Sequence, residues 1–232
     1  MASSTSVRQA FGHRLDAVRD AVLTLGGAVD AAVDRAVAAL RARDLPTARQ
    51  LIRDDQKINQ QRFDVEQSAI LLIATQQPMA SDLRFLAGVL HIATDLERMG
   101  DHARSIARVT VRLGAAPPPT PLSDLPAMAA LCHERLVGVL DALATRDPER
   151  ALAVAKRDAE TDRLQAAVYA ELLGIMTRDP ATVTRATYLL WVAHDLERVG
   201  DHITNICERT IYIVTGRMEE LSVERGDAGA SG

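Results

Sequence analysis

Aromatic side chains are scarce: three Phe, three Tyr and one Trp, 3% of 232 residues. A core must therefore be assembled from Leu, Val, Ile and Ala. Leu and Ala favour closely packed helices, and the shortage weighs against a β-sandwich, whose strands favour aromatic and β-branched residues. There are only two cysteines, Cys132 and Cys207, with no CxxC. A disulfide framework is excluded, and both are expected to be small buried residues in a reducing compartment. No long Lys/Arg run occurs and the formal net charge is −4, so no direct nucleic-acid partner is expected. The longest uncharged run, 67–81, has 15 residues with three Gln and a Pro; a bilayer needs about 20 apolar ones. The opening MASSTSVRQAFGHR lacks the apolar stretch of a signal peptide. The expectation is a soluble cytoplasmic protein that meets a membrane only through partners. Also missing are a Gly-rich phosphate loop, GxSxG, HExxH and any Glu-x-x-His, so no enzyme is expected.

What the chain does have is a repeat. DLERMGDH at 95–102 returns as DLERVGDH at 195–202, seven of eight positions alike at an offset of 100. Upstream, ARDLPTAR at 42–49 matches TRDPERAL at 145–152, and DDQKIN at 54–59 matches RDAETD at 157–162, both at 103. Three matches in one order indicate duplication. The seam is GAAPPPTP at 114–121, whose four prolines cannot continue a helix. Each half divides into three long helical patterns, at about 6–42, 46–76 and 80–113, then about 123–145, 148–177 and 181–216. Pro46, Pro78, Pro148 and Pro180 each stand at a helix start, where the missing N–H is harmless. Gly26-Gly27 lies inside the first helix without ending it. The expectation is an all-α chain of two tandem three-helix bundles: residues 1–114, a Pro-rich linker at 115–122, residues 123–217 and a tail from 218 to 232. A continuous six-helix bundle is the alternative.

The informative residues are acids at helical spacing. Glu97 and Asp101 are four apart, as are Glu197 and Asp201, so each pair shares a face. Glu208 falls within about 40° of the second pair on an ideal helix. The preceding helix has Asp158 and Asp162; in the first half Asp55 and Asn59 hold these places. Carboxylates turned toward an apolar face require compensation. Four acids on two adjacent helices repel one another unless cations lie between them, and oxygen ligands suit Mg, Ca, Mn or Fe. The candidate metal residues are Asp55, Asn59, Glu97 and Asp101 in the first half and Asp158, Asp162, Glu197 and Asp201 in the second, with Glu208 as an additional candidate. The competing reading is salt bridging within and between helices, by residues such as Arg98 and Arg198. The first set is the weaker one: Asn59 replaces an acid, and Arg108 stands where the second half has Glu208 and supplies its own positive charge. The second site is therefore expected to bind metal more strongly. His102 and His202 are expected to cap the sites or face a neighbouring helix, because consecutive helical residues diverge by about 100°. Gly100 and Gly200 suggest close helix approach.

QQPMASDLR at 76–84, DLERMGDHARSIA at 95–107 and DLERVGDHITNICERTIYIVTG at 195–216 resemble the PhoU family of phosphate-transport regulators. The resemblance spans about 7–217. It implies two tandem three-helix bundles, and metal clusters of iron or zinc, held by Asp55, Glu97 and Asp101 and by Asp158, Asp162, Glu197 and Asp201. It implies a negative regulator of phosphate uptake and of the phosphate regulon. Such a protein links the ATPase of the phosphate-specific ABC transporter to a sensor histidine kinase and favours the inactive signalling state when phosphate is plentiful. The sequence departs from the family pattern at Asn59, and RDPATVTR stands in the second half where the first has QQPMASDLR. A homodimer is expected from the long amphipathic helices. The alternatives are a metal-free helical scaffold and a carboxylate-metal enzyme.

Overall fold

The computed structural model describes residues 4–114, 124–218 and 220–221, so the expected linker 115–122 and nearly all of the expected tail lie outside the described residues. Among the described residues there is no strand. The first repeat is α1 (Ser4–Ala42), α2 (Leu45–Gln76) and α3 (Ser81–Leu113); the second is α4 (Asp124–Thr145), α5 (Pro148–Ala155), α6 (Asp158–Arg178) and α7 (Val183–Thr215). A 3-10 turn at Pro180–Thr182 precedes α7.

The two repeats turn corners in the same way. Asp44 caps α2, accepting from the Thr47 amide at 3.0 Å, and Asp147 caps α5, accepting from the Arg150 amide at 3.0 Å. Each aspartate satisfies a donor that the helix start leaves without a partner. The residue before each cap, Arg43 or Arg146, takes φ 57°. The expected helix at 148–177 differs from the structure, which breaks it at Lys156–Arg157 into α5 and α6. Arg157 has φ −82° and ψ 0°, and its side chain reaches both Glu160 and Glu134 at 3.1 Å. These contacts tie the break to α4. No Pro or Gly marks it. Gly26 and Gly27 leave α1 continuous, as expected.

α3 and α7 run along one another. His102 meets Asp195 and His202 meets Asp95, so position rises on one helix as it falls on the other. The pair is therefore antiparallel. Near its end, a Cβ on Gly88 would stand 2.6 Å from the Ile213 side chain, so the backbone of α3 comes close there. Residues of both repeats contribute to one continuous hydrophobic cluster, including Leu25, Leu86, Ile92 and Leu96 from the first and Met128, Leu189 and Leu196 from the second. Cys132 and Cys207 are buried free thiols, pushed up to about 12 by burial. Among the described residues no helix is long and apolar enough to cross a membrane.

Candidate functional site

The acid clusters sit where the second and third helical segments of each repeat face one another. In the first repeat Asp55 of α2 is 4% exposed. Its Oδ2 accepts from Arg104 of α3 at 2.5 Å, and the same guanidinium reaches Asp101 Oδ1 at 2.7 Å. One arginine therefore bridges acids from the two helices. Arg108, expected to supply that charge, is exposed and acts on Asp55 only at a distance; the direct contact belongs to Arg104. Asp55 Oδ1 and Asn59 Oδ1 are buried and have no hydrogen-bond partner. Burial raises the Asp55 carboxyl above its ordinary range, with Arg104 opposing and Asp101 reinforcing. Glu97 is also raised, first by burial and then by the Asp101 charge.

The second repeat solves the same problem with a different arginine. Arg135 of α4 is fully buried, and its Nη1 meets Asp158 Oδ1 at 2.8 Å. It also donates to Thr161 at 3.0 Å and Thr204 at 2.8 Å. An unpaired guanidinium at such a depth would be very costly; the carboxylate and two hydroxyls compensate Nη1 and Nη2, while Nε has no hydrogen-bond partner. Glu197 is 8% exposed and raised by burial, then by Asp201, with Asp162 adding to the effect. His194 Nδ1 lies 3.3 Å from Glu197, and Arg198 donates to Asp201 at 2.6 Å. Asp162 is exposed. Glu208 is turned elsewhere: it accepts the Leu221 amide at 2.7 Å and fastens the chain beyond α7.

The structure therefore brings Asp55 and Asp101 onto one cation in the first repeat, and sets Glu197 within the fields of Asp201 and Asp162 in the second. Among the described residues no three His, Cys, Asp or Glu side chains form a ready-made metal-holding group. The donors are nevertheless oxygens suited to hard cations, and the unpartnered Asp55 Oδ1 and Asn59 Oδ1 fit that role.

The motif's remaining polar residues build the seam. His102 Nδ1 is 2.9 Å from Asp195 Oδ1, and His202 Nδ1 is 2.9 Å from Asp95 Oδ1; the two rings lie 5.7 Å apart. Asn205 also donates to Asp95 at 3.2 Å. The first Asp and last His of each DLERxGDH copy thus join the repeats, while the Glu and second Asp form the acid sites. Both histidines face a neighbouring helix, as expected. Sequence reasoning missed their partners Asp95 and Asp195, and it missed Arg104 and Arg135. The signal for Arg135 was a lone arginine among Leu131, Cys132, Leu136 and Val139.

Comparison with known proteins supports this architecture. The PhoU domain family matches twice, at residues 22–110 and 125–210. A phosphate-specific transport system accessory protein PhoU homolog of Caulobacter vibrioides is 38% identical over 218 residues, covering 94% of this chain and 94% of the relative. The similarly named homolog of Rhizobium meliloti is 37% identical over 215 residues, covering 92% and 91%. The crystal structure of the phosphate transport system regulatory protein PhoU from Streptococcus pneumoniae superposes with a TM-score of 0.85 at 31% identity, covering 90% of this chain and 99% of that one. PhoU from Pseudomonas aeruginosa gives 0.85 at 34%, covering 89% and 100%.

Proposed function

This chain belongs to the PhoU family, and from that membership we propose that it is a cytoplasmic negative regulator of phosphate uptake and of the phosphate regulon. It acts as a metal-binding helical adaptor between the phosphate ABC transporter's ATPase and a sensor histidine kinase. The transport assignment rests on relatives named as accessory and regulatory proteins of phosphate transport. The adaptor reading rests on one observation above all. Each repeat aims an acid pair from its last helix at an acid-bearing neighbour, and the glutamate of each pair is raised by burial and by its own aspartate.

In the first repeat Asp55, Asn59, Glu97 and Asp101 would hold the ion; in the second, Asp158, Asp162, Glu197 and Asp201 would. A bound divalent or trivalent ion, iron or zinc by resemblance and Mg or Mn by ligand type, supplies positive charge. Arg104 and Arg135 already neutralise part of each cluster, and the ion would neutralise Glu97 and Glu197, which burial and the neighbouring aspartate raise. Neutralising them locks the second and third helices together and fixes the surface offered to partners. The first repeat presents several exposed apolar side chains: Phe63, Ile70, Leu71 and, at the turn before α3, Met79. Gln77 and Ala80 flank Met79 at φ 47° and 48°, a conformation that non-glycine residues rarely adopt. An apolar face on such a turn suits a protein partner.

Elemental analysis of the purified chain beside Glu197→Ala/Asp201→Ala tests the metal reading: bound metal should fall by the share held in the second repeat. A reporter of phosphate-regulated transcription tests the regulatory reading. Deletion should raise it in phosphate-rich medium, and the wild-type chain should restore repression. Unchanged reporter output after deletion would reject the regulatory role, whatever the metal content.

A further inference from the structure

A cavity of about 300 Å³ lies among α1, α2 and α3 of the first repeat, at the lower end of the range for small-molecule sites. Small residues such as Ala28, Ala32, Gly100 and Ala103 form its apolar wall. Three polar atoms of its lining residues are buried without a hydrogen-bond partner: Asp55 Oδ1, Gln61 Oε1 and Arg104 Nε. Buried polar groups are nearly always satisfied. Three exceptions around one space point to something that occupies it. Asn59, Glu97 and Asp101 do not line it.

The second repeat shows what chemistry fits. At the offset of 103, Ala32 corresponds to Arg135, Asp55 to Asp158 and Ile58 to Thr161; at 100, Gly100 corresponds to Gly200 and Arg104 to Thr204. A Cβ on Gly100 would stand 3.0 Å from Ile58, and one on Gly200 3.1 Å from both Thr161 and the Arg135 guanidinium, so the two places match in space. There, the guanidinium of Arg135 donates to Asp158, Thr161 and Thr204. In the first repeat that side chain is cut back to Ala32. Arg104 reaches in from α3 and takes Asp55 Oδ2, leaving Oδ1 without a donor. Two of the lining cations already have carboxylates: Lys57 pairs with Asp54 at 2.8 Å, and Arg104 with Asp55 and Asp101; the third, Arg35, is exposed. Two of the three unpartnered atoms, Asp55 Oδ1 and Gln61 Oε1, call for N–H donors, and Arg104 Nε calls for an acceptor.

We propose that this cavity binds a small organic molecule bearing an amine or guanidinium group, whose N–H groups donate to Asp55 Oδ1 and Gln61 Oε1. Arg104 Nε favours a ligand that also carries an acceptor such as a carboxylate. The site shares Asp55 with the first acid cluster, and Ala32 and Gln61, which belong to neither cluster, distinguish it; an amine and a metal ion at Asp55 Oδ1 would exclude one another.

The test is thermal denaturation and calorimetry of the full chain, with L-arginine, agmatine and putrescine as probes in chelator and magnesium, in chelator-free buffer, as the inorganic control. Saturating an active probe at about a hundredfold excess over its Kd should raise Tm by about 5–10 °C for a chain of this size. Ala32→Arg should abolish the response and raise the chain's own Tm, because its guanidinium fills the space as Arg135 does. Gln61→Leu should weaken binding about tenfold, the worth of one hydrogen bond to a charged donor. Neither heat nor shift from any of the three probes at millimolar concentration would overturn the proposal and leave water as the occupant. Unaltered binding by Gln61→Leu would also overturn it, and that comparison stands even if Ala32→Arg does not fold. A response to magnesium but to none of the organic probes would also refute the proposal, because the acid clusters themselves account for magnesium binding.

Discussion

The two repeats keep three acids in common, Asp55, Glu97 and Asp101 matching Asp158, Glu197 and Asp201, and change the arginine that answers the first of them. In the second, the guanidinium rises from α4 through Arg135 and is fully buried. In the first it arrives from α3 through Arg104, which is 28% exposed. The exchange carries its surroundings with it: Thr161 and Thr204, which complete the Arg135 shell, become Ile58 and Arg104, and Arg135 itself becomes Ala32. A buried carboxylate fixes the need for a counter-charge and leaves open which helix delivers it. Once one helix delivers it, the neighbours must follow, because a buried hydroxyl without its partner or a guanidinium without its carboxylate is costly.

The sharpest way to break this comparison is to remove each arginine. Arg135→Ala strips a fully buried cation from Asp158 and orphans two threonines, so it should cost about 3–5 kcal/mol, read as a fall in Tm of about 10 °C or more. Arg104→Ala should cost about 1–3 kcal/mol, less because that side chain is partly solvated. Equal losses would show that solvent access does not separate the repeats.

A smaller effect sharpens the contrast between the raised glutamates. Glu97 and Glu197 are both pushed up in the folded chain, so the fold disfavours their ionised forms. Each costs stability above its raised value, and the cost disappears below the ordinary 4.5, where folded and unfolded chains are both protonated. In chelator, Glu197→Gln should therefore raise Tm at pH 7, with a gain that shrinks as the pH falls toward 4.5 and vanishes below it. Glu97→Gln should behave alike with a smaller gain, since Glu97 is only half-buried. On the proposed metal reading, adding magnesium or iron should cancel both gains. Chemical denaturation across pH, with and without metal, checks the sign.

The smallest expected effects are those that should not differ at all. Asp44→Ala and Asp147→Ala each remove one cap of the same geometry, so each should cost about 1 kcal/mol. Unequal costs in urea titrations would mean that the shared corners carry different loads.

The helical layout was legible because local signals agreed: proline in the first turn of three helical segments and shortly before a fourth, and an ordered repeat. The break at Lys156–Arg157 was not legible. Nothing in Ala155-Lys156-Arg157 forbids a helix, and the interruption follows from Arg157 bonding across to Glu134 on α4, which no local window contains. The acid faces were legible from their four-residue spacing. Their counter-charges were not, because periodicity says which residues share one helix face and nothing of what a neighbouring helix offers. Arg108 was expected as the first site's positive charge, and Arg104 was not foreseen, for that reason. Aligning the repeats residue by residue, Ala32 with Arg135 and Ile58 with Thr161, would have exposed the substitution.

The crossed histidine–aspartate contacts have the form of an isologous interface, in which one patch meets a copy of itself through a two-fold relation. Two surfaces on a single polypeptide stand where identical subunits would otherwise stand. A separated half would carry the self-complementary patch uncovered, with its last helix as the adhesive face, and would be driven to recruit a second molecule. Covalent linkage makes that encounter intramolecular and independent of concentration, and it frees the two halves to diverge as their arginines have.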